Sequence, residues 1–227
     1  MNGVFPDIRT TNGSTWHSIA GNMPPALAGE ASFSSSGTCI ATQGWQDAWI
    51  ATGGSSIARI LATRDGGDTW NAYDTPLVSN PNAGGFSVAF RDPWHGIVGG
   101  GDLTGNSAAQ AATSENGGQT WTLTTKPPIP GAIFGLAYVS GLEHENDWGH
   151  RDNWDNHGHS GHEHDRSVVI TTETQPNFTS GEAAWSPDEG QTWFKLPEVS
   201  GYWAVAFASP KAGWFVGNNG KILKISF

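Results

Sequence analysis

At 227 residues and 24.0 kDa the chain has the length of one domain. Glycine fills 31 positions, tryptophan 12, and charged residues only 14%, against usual shares of about 7% for glycine and about 25% for charge. The aromatic content excludes disorder over most of the length, the formal charge of −10 argues against nucleic acid and anionic membranes as partners, and the lack of a long apolar run argues against membrane insertion.

Taken in chain order, Met1 to Asp7 shows neither the basic nor the apolar region of an export signal. A turn follows at Thr10-Thr-Asn12-Gly-Ser14-Thr15-Trp16. Ala58-Arg-Ile-Leu-Ala62 then reads as a strand leading into the octapeptide Thr63-Arg-Asp65-Gly-Gly67-Asp-Thr69-Trp70. Phe86-Ser-Val88-Ala-Phe90 reads as an inner strand, and Asp92-Pro-Trp94-His95-Gly96-Ile-Val-Gly99 as a turn entering a short apolar strand. The small-residue run Ala108 to Ala112 holds the register of Ala58 to Ala62, so it too is predicted to be a strand. It enters Ser114-Glu-Asn116-Gly-Gly118-Gln-Thr120-Trp121. A second inner strand, Ile133 to Tyr138, precedes a histidine-rich insert at about 141–166. Then come Ser186-Pro-Asp188-Glu-Gly190-Gln-Thr192-Trp193, a third inner strand at Tyr202 to Phe207, and Ser209 to Gly217, which repeats the Asp92 to Gly99 pattern.

Three octapeptides therefore share Ser/Thr-x-Asp/Asn-x-Gly-x-Thr-Trp, and the first turn is a version one residue shorter. Their tryptophans stand 54, 51 and 72 residues apart (16 to 70, 70 to 121, 121 to 193). Removing the insert of some two dozen residues restores a period near 50, the size of a four-stranded propeller blade. The expected fold is all-β: a propeller of four-stranded antiparallel blades, about four blades' worth, incomplete and open, in a single domain spanning residues 1–227.

The octapeptide has a mechanical basis. Thr63, Asp65, Ser114, Asn116, Ser186 and Asp188 carry side chains that bond nearby backbone amides and stand in for a turn. Gly67, Gly118 and Gly190 supply positive φ. Trp70, Trp121 and Trp193 open the next strand, where an indole can cover the seam between sheets. At these residues the sequence resembles the Asp-box (BNR) repeat of sialidase-like β-propellers. The resemblance implies that the boxes lie at the outer rim, remote from a central site, and that their residues are structural.

Other stretches are similar to uncharacterised propellers labelled oxidoreductase: Pro24 to Glu30, Ser36 to Cys39 and Phe86 to Asp92. The cadence of His95-Gly-Ile-Val-Gly99 and Gly213-Trp-Phe-Val-Gly217 is similar to photosystem II assembly and stability factor propellers. Three whole blades and two partial ones are expected, against six or seven in the family. The chain therefore reads as a C-terminal fragment, with an exported, periplasmic or lumenal location if an upstream signal is missing. The other arrangement is a ring of four in which the N-terminal strand completes the last blade.

Candidate chemistry is sparse. A sialidase-like site would need three arginines and a tyrosine paired with a glutamate. The arginines are Arg9, Arg59, Arg64, Arg91, Arg151 and Arg166; no Arg-Ile-Pro signature occurs, and Tyr73, Tyr138 and Tyr202 read as structural aromatics. Glycoside hydrolysis needs two facing carboxylates, but Asp7, Glu30, Asp47, Asp74, Asp92, Asp102, Glu173, Glu182 and Glu198 read as solvated turn residues. Gly99-Gly100-Gly101-Asp102 lacks phosphate-loop spacing and reads as a strand end. Cys39 is the sole cysteine, so internal disulfides and cysteine-based zinc sites are excluded. His95 reads as a turn residue. The insert holds six of the eight histidines, and His157, His159, His162 and His164 are candidate ligands for a divalent transition metal.

No catalytic or cofactor-binding residues are assigned. The sequence reads as a non-catalytic scaffold or recognition module of the assembly-factor type. It would bind a protein or glycan at the propeller's central face or its insert-bearing rim. The alternative is a glycoside hydrolase or sialidase-like enzyme whose active site is incomplete in this chain.

Overall fold

Apolar runs of four to eight residues, each closed by glycine, proline or asparagine, leave no stretch that sustains a helical period, and strands carry the fold. The computed structural model describes residues 3–34, 37–105, 107–139, 166–174 and 181–227. A short hairpin, β1 (Ile8–Arg9) with β2 (His17–Ser18), precedes a four-stranded antiparallel sheet, blade one. Blade one contains β3 (Ile40–Gln43), β4 (Asp47–Ala51), β5 (Arg59–Thr63) and β6 (Asn71–Asp74), paired in that order. Blade two repeats it with β7 (Ala83–Phe90), β8 (Gly96–Asp102), β9 (Gln110–Ser114) and β10 (Thr122–Leu123). Blade three consists of β11 (Ala132–Tyr138), β12 (Val168–Glu173), β13 (Glu182–Ser186) and β14 (Phe194–Ser200). Blade four has three strands, β15 (Tyr202–Ser209), β16 (Ala212–Gly217) and β17 (Ile222–Ile225). The fold is an open β-propeller. Among the described residues β1 pairs with β2 and β17 with β16, so the two ends are not joined by strand exchange.

The hydrophobic core is divided among the seams between blades. Trp49, Val88, Phe90 and Trp121 fill the seam between blades one and two; Ile97, Ile133, Leu136, Val168 and Ile170 fill the next; Val169, Val205, Phe207 and Phe215 fill the third. Trp49 is fully buried and stacks on Phe90 with ring centroids 3.6 Å apart and planes 10° off parallel. The inner strands share a further device. A register shift falls at Phe86 in β7, Phe134 in β11 and Trp203 in β15, so these three inner strands bulge at an aromatic residue, whereas β3 runs in register. Phe33 stacks on Phe86 at 4.1 Å, and Phe86 on Phe134 at 5.2 Å.

Glycine at the end of the second strand of blades one and two decides how closely the next blade approaches. Gly53 bridges Gly84 of the next blade, and Gly101 bridges Ala132. A Cβ at Gly53 would lie 2.6 Å from the Gly84 Cα, so backbone contact there requires glycine. By strand register Glu173 takes this place in blade three, and Thr171 takes the place of Ala51 and Gly99. Among the described residues no such bridge joins blades three and four.

Two acids expected in solvent are buried instead. Glu30 accepts from Arg59 Nε at 2.9 Å, Thr52 Oγ1 at 2.7 Å and the Leu27 amide at 2.8 Å, and Arg59 Nη2 also reaches the Pro25 carbonyl. Burial raises the Glu30 pKa, but the Arg59 guanidinium and the other donors outweigh it and the net shift is downward. This ion pair ties Pro24 to Glu30 across blade one. Glu173 is 1% exposed, and neither carboxyl oxygen has a hydrogen-bond partner among the described residues. Burial pushes its pKa up to about 7.

Candidate functional site at the base of the insert

The recurring octapeptides join the third strand of each complete blade to the fourth. The Thr63 hydroxyl accepts from the Gly67 amide at 2.9 Å and donates to Asp65 Oδ1 at 2.8 Å, while Asp65 accepts from the Thr69 amide and hydroxyl. Ser114, Asn116, Gly118 and Thr120 repeat this network except that Asn116 Nδ2 donates to the Thr120 hydroxyl, and Ser186, Asp188, Gly190 and Thr192 repeat its backbone bonds. The shorter turn keeps its logic, with Asn12 accepting from the Ser14 and Thr15 amides. Hydrogen bonds from the Thr69 hydroxyl and amide hold Asp65 at a pKa of about 2.

The carbonyls of these turns face the preceding sheet and dock it. Gly66 O accepts from Arg9 Nη1 at 2.6 Å, and Gly117 O from Trp49 Nε1 at 2.8 Å and Arg64 Nη2 at 3.1 Å. Gly190 O accepts from the Thr125 amide and hydroxyl at 3.0 and 2.8 Å. Trp121 Nε1 donates to Gly118 O and Trp193 Nε1 to Thr125 O, whereas Trp70 Nε1 is buried without a partner among the described residues.

One turn departs from its sisters. Gly66 and Gly117 occupy the left-handed region at φ 71° and 72°, but the corresponding residue of the third octapeptide is Glu189, at φ 55°. A side chain there is strained unless its surroundings hold it. Glu189 Oε1 accepts from Arg91 Nε at 2.7 Å and from Tyr138 Oη at 3.0 Å, and Oε2 accepts from Arg166 Nε at 3.1 Å. Arg91 Nη1 also meets Asp92, whose carboxylate accepts from the Trp94 and His95 amides and lies 2.8 Å from His95 Nδ1. Burial pushes the Tyr138 phenol well above its usual range, and the Glu189 carboxylate adds to the effect. Burial of Asp92 raises its pKa, but the Trp94 and His95 amides and the His95 ring outweigh it and lower it.

This cluster sits where the insert enters and leaves the sheet. Tyr138 and Val139 precede the undescribed segment and Arg166 follows it, and the two ends are pinned by bonds from the Val139 amide to Ser167 O and from the Glu189 amide to Arg166 O. Beside it lies a groove of about 840 Å³ between the octapeptide turns of blades two and three. Thr122, Thr124, Thr125, Gln191 and Asn116 line it with hydrogen-bonding groups, and Glu115, His95, Arg166 and Glu189 form its ionisable edge. At the other candidate surface, the central face, Phe86 and Phe134 are buried beneath Phe33, and the Ser87 hydroxyl donates to Phe134 O.

No family model and no curated protein matches the chain. Solved structures do match. YCF48 bound to a D1 peptide is similar at 16% identity, with 86% of this chain and 67% of that one covered and a TM-score of 0.43. The leech intramolecular trans-sialidase complexed with 2,7-anhydro-Neu5Ac is similar at 13% identity over 96% of this chain, with a TM-score of 0.46. NanB sialidase from Streptococcus pneumoniae is similar at 12% identity over 74%, with a TM-score of 0.38. The chain spans 35% of the leech enzyme and 27% of NanB.

The site residues read from sequence are thus only partly those the structure assembles. His157, His159, His162 and His164 lie outside the described residues. His95 is in a turn, as expected, yet also edges the groove. Tyr138, read as a structural aromatic, donates to Glu189. Arg91 and Arg166 are named in the sequence only among the six arginines weighed for a sialidase-like site, and Glu189 is assigned no role there. Their one sequence signal is Glu189 itself, standing where the sister octapeptides carry Gly66 and Gly117.

Proposed function

We propose that the chain is a non-catalytic propeller scaffold whose insert-bearing groove binds a protein or glycan partner. The supporting observation is the composition of that groove: hydroxyl and amide groups along its length, with Arg166, Glu189 and His95 already paired internally and the exposed Glu115 at its rim. Glu189 is shared by Arg91, Arg166 and Tyr138, and His95 is held by Asp92. Groups fixed in this way orient a ligand's polar atoms without being available to transfer a proton or attack a carbon. No described helix is long and apolar enough to cross a membrane.

The hydrolase reading draws on a different observation, the Tyr138–Glu189 pair flanked by two arginines. Against it, Tyr138 is only 8% exposed, and its raised pKa keeps the phenol protonated, which is the wrong state for a nucleophile. Both arginines are already engaged by Glu189 rather than aimed at open groove.

Probing peptide and glycan arrays with the chain and with a Thr122→Arg, Thr124→Arg double variant tests the scaffold reading. Both residues line the groove, and Thr122 is exposed. Ligands of the parent chain are expected to bind the variant at least about tenfold more weakly, equivalent to about 1.4 kcal/mol. Undiminished binding would move the site elsewhere. Turnover of sialosides or aryl glycosides that disappears in Glu189→Gln would replace the scaffold reading with the enzymatic one.

We also propose metal binding by His157, His159, His162 and His164, supported by the sequence of the insert alone. Calorimetry with zinc or nickel should show binding that is lost when residues 143–165 are deleted. Equal heats from both forms would dismiss it.

A further inference from the structure

Buried polar atoms in folded proteins almost always find a hydrogen-bond partner, so several unpartnered ones at one place call for a chemical reason. Four buried side-chain nitrogens or oxygens lack a partner among the described residues, and three of them belong to one strand: Thr171 Oγ1, Glu173 Oε1 and Glu173 Oε2. Thr171 and Glu173 stand two residues apart on β12, on the face that also carries Val169 into the seam with blade four. Thr171 is 0% exposed and Glu173 1%.

Backbone oxygens of β15 face the same place. A Cβ built on Gly181 would lie 2.8 Å from Glu173 Oε1 and 3.0 Å from the Tyr202 carbonyl oxygen. One built on Gly135 would press on Thr171 Oγ1 and lie 2.9 Å from the Trp203 carbonyl oxygen. With glycine at both positions, a carboxylate and a hydroxyl from blade three meet two carbonyls from blade four at the inner end of their seam. The sister seams hold no such set. By strand register Ala51 and Gly99 stand in the place of Thr171, and Gly53 and Gly101 in that of Glu173.

These oxygens include one negative charge, and no donor or cation is bonded to it among the described residues. The lysines of blade four, Lys211, Lys221 and Lys224, are exposed, with Lys221 over the Tyr202 ring. Among the described residues no group of three or more His, Cys, Asp or Glu comes together. The seam therefore offers nothing to a metal that seeks imidazole or thiolate. A carboxylate, a hydroxyl and backbone carbonyls are instead the donor set of a hard cation, and calcium accepts such a set in irregular geometry with waters completing its shell. Magnesium demands a near-ideal octahedron and parts reluctantly with its waters, so carbonyls fixed by a strand suit calcium better.

We propose that calcium binds in the seam between blades three and four, held by the Glu173 carboxylate, the Thr171 hydroxyl and the carbonyls of Tyr202 and Trp203. The ion joins the two blades at the position where glycine bridges join the first two pairs, and it offsets the cost of burying the Glu173 charge. In the cation-free protein that cost is uncompensated. The last seam thus responds to calcium, while the first two do not.

The test is thermal melting of the full chain at pH 8, freed of metal by a chelator and then titrated with calcium chloride, for the parent, Glu173→Gln and Thr171→Val. The melting temperature of the parent is expected to rise to saturation with a dissociation constant of about 10⁻⁴–10⁻³ M, the weak end of the calcium range, because the site carries a single charge. Thr171→Val should melt no lower than the parent in chelator, since it removes only an unpartnered hydroxyl, yet bind calcium at least about tenfold more weakly. Glu173→Gln should melt above the parent in chelator and show no rise with calcium. Terbium gives a reading independent of stability: its luminescence, sensitised by Tyr202 and Trp203, should appear with the parent, be displaced by calcium and be absent with Glu173→Gln. A parent that does not respond to calcium, or an equal response in Glu173→Gln, would overturn the inference.

Discussion

Replacing Glu173 with glutamine should stabilise the protein at pH 8 by on the order of 2–3 kcal/mol and remove most of its pH dependence above pH 4.5. The physical reason is that the carboxyl is 1% exposed and its neighbours are acceptors. A side chain at Gly181 would meet Glu173 Oε1 at 2.8 Å and the Tyr202 carbonyl at 3.0 Å, which places these oxygens at one crowded point with no donor described there. The charged form is disfavoured by burial, so the pKa rises from 4.5 to about 7. A raised carboxyl pKa means the folded state binds the proton more tightly than the unfolded chain. That contribution is complete below about pH 4.5 and is lost as pH rises through about 7. Glutamine stays neutral at all these values and brings an amide donor to the surrounding oxygens.

The opposite slope belongs to Asp65, Asp92, Asp102 and Asp188, whose pKa values are lowered. Their contribution is present above the unfolded aspartate range and falls away on acidification, for Asp65 down to about pH 2. The parent chain should therefore melt highest near pH 4–5, and Glu173→Gln should extend that plateau through pH 8. Melting curves for both proteins between pH 3 and pH 9 check this. Parallel curves across the neutral range would show that Glu173 is ionised and satisfied in the native state.

Trp49→Ala should cost about 3–5 kcal/mol, a large part of the 5–15 kcal/mol typical of a domain. Trp49 is wholly buried, stacks on Phe90, and donates its indole N–H to Gly117 O of the next blade. Truncation to alanine leaves a cavity in the seam and removes the inter-blade bond. Trp49→Phe should cost much less, about 1–2 kcal/mol. It keeps an aromatic face for Phe90, and Gly117 O still accepts from Arg64 Nη2 at 3.1 Å. Urea titrations of the two variants separate packing from hydrogen bonding; equal losses would mean that the ring stack contributes little.

The fold was legible in the sequence where its causes are local. A hydroxyl, a carboxylate or amide four residues before a threonine, and an intervening glycine close the same turn wherever they occur, so Thr63, Ser114 and Ser186 revealed three blades before any sheet was visible. The inner strands at Phe86, Ile133 and Tyr202 could be read because their apolar runs keep the beat of the octapeptides, the longer second interval holding the insert. The groove was not legible, because Arg91 and Glu189 stand 98 residues apart and meet only when blades two and three pack. Glu173 was placed among solvated acids for a related reason. Its equivalence to Gly53 and Gly101 emerges only from strand register, and neither its sequence neighbours nor its type signals burial.

The glycine bridges of the first two seams and their replacement at the third by Glu173 have a mechanical consequence. A row of leaves held only by nearest neighbours comes apart stepwise rather than all at once. Between the last two leaves, side-chain packing and the bond from the Gly201 amide to the Gly181 carbonyl stand in for the bridge. Detachment of the lysine-bearing terminal leaf would leave the polar trough between the second and third intact, so losing the tail need not silence the site.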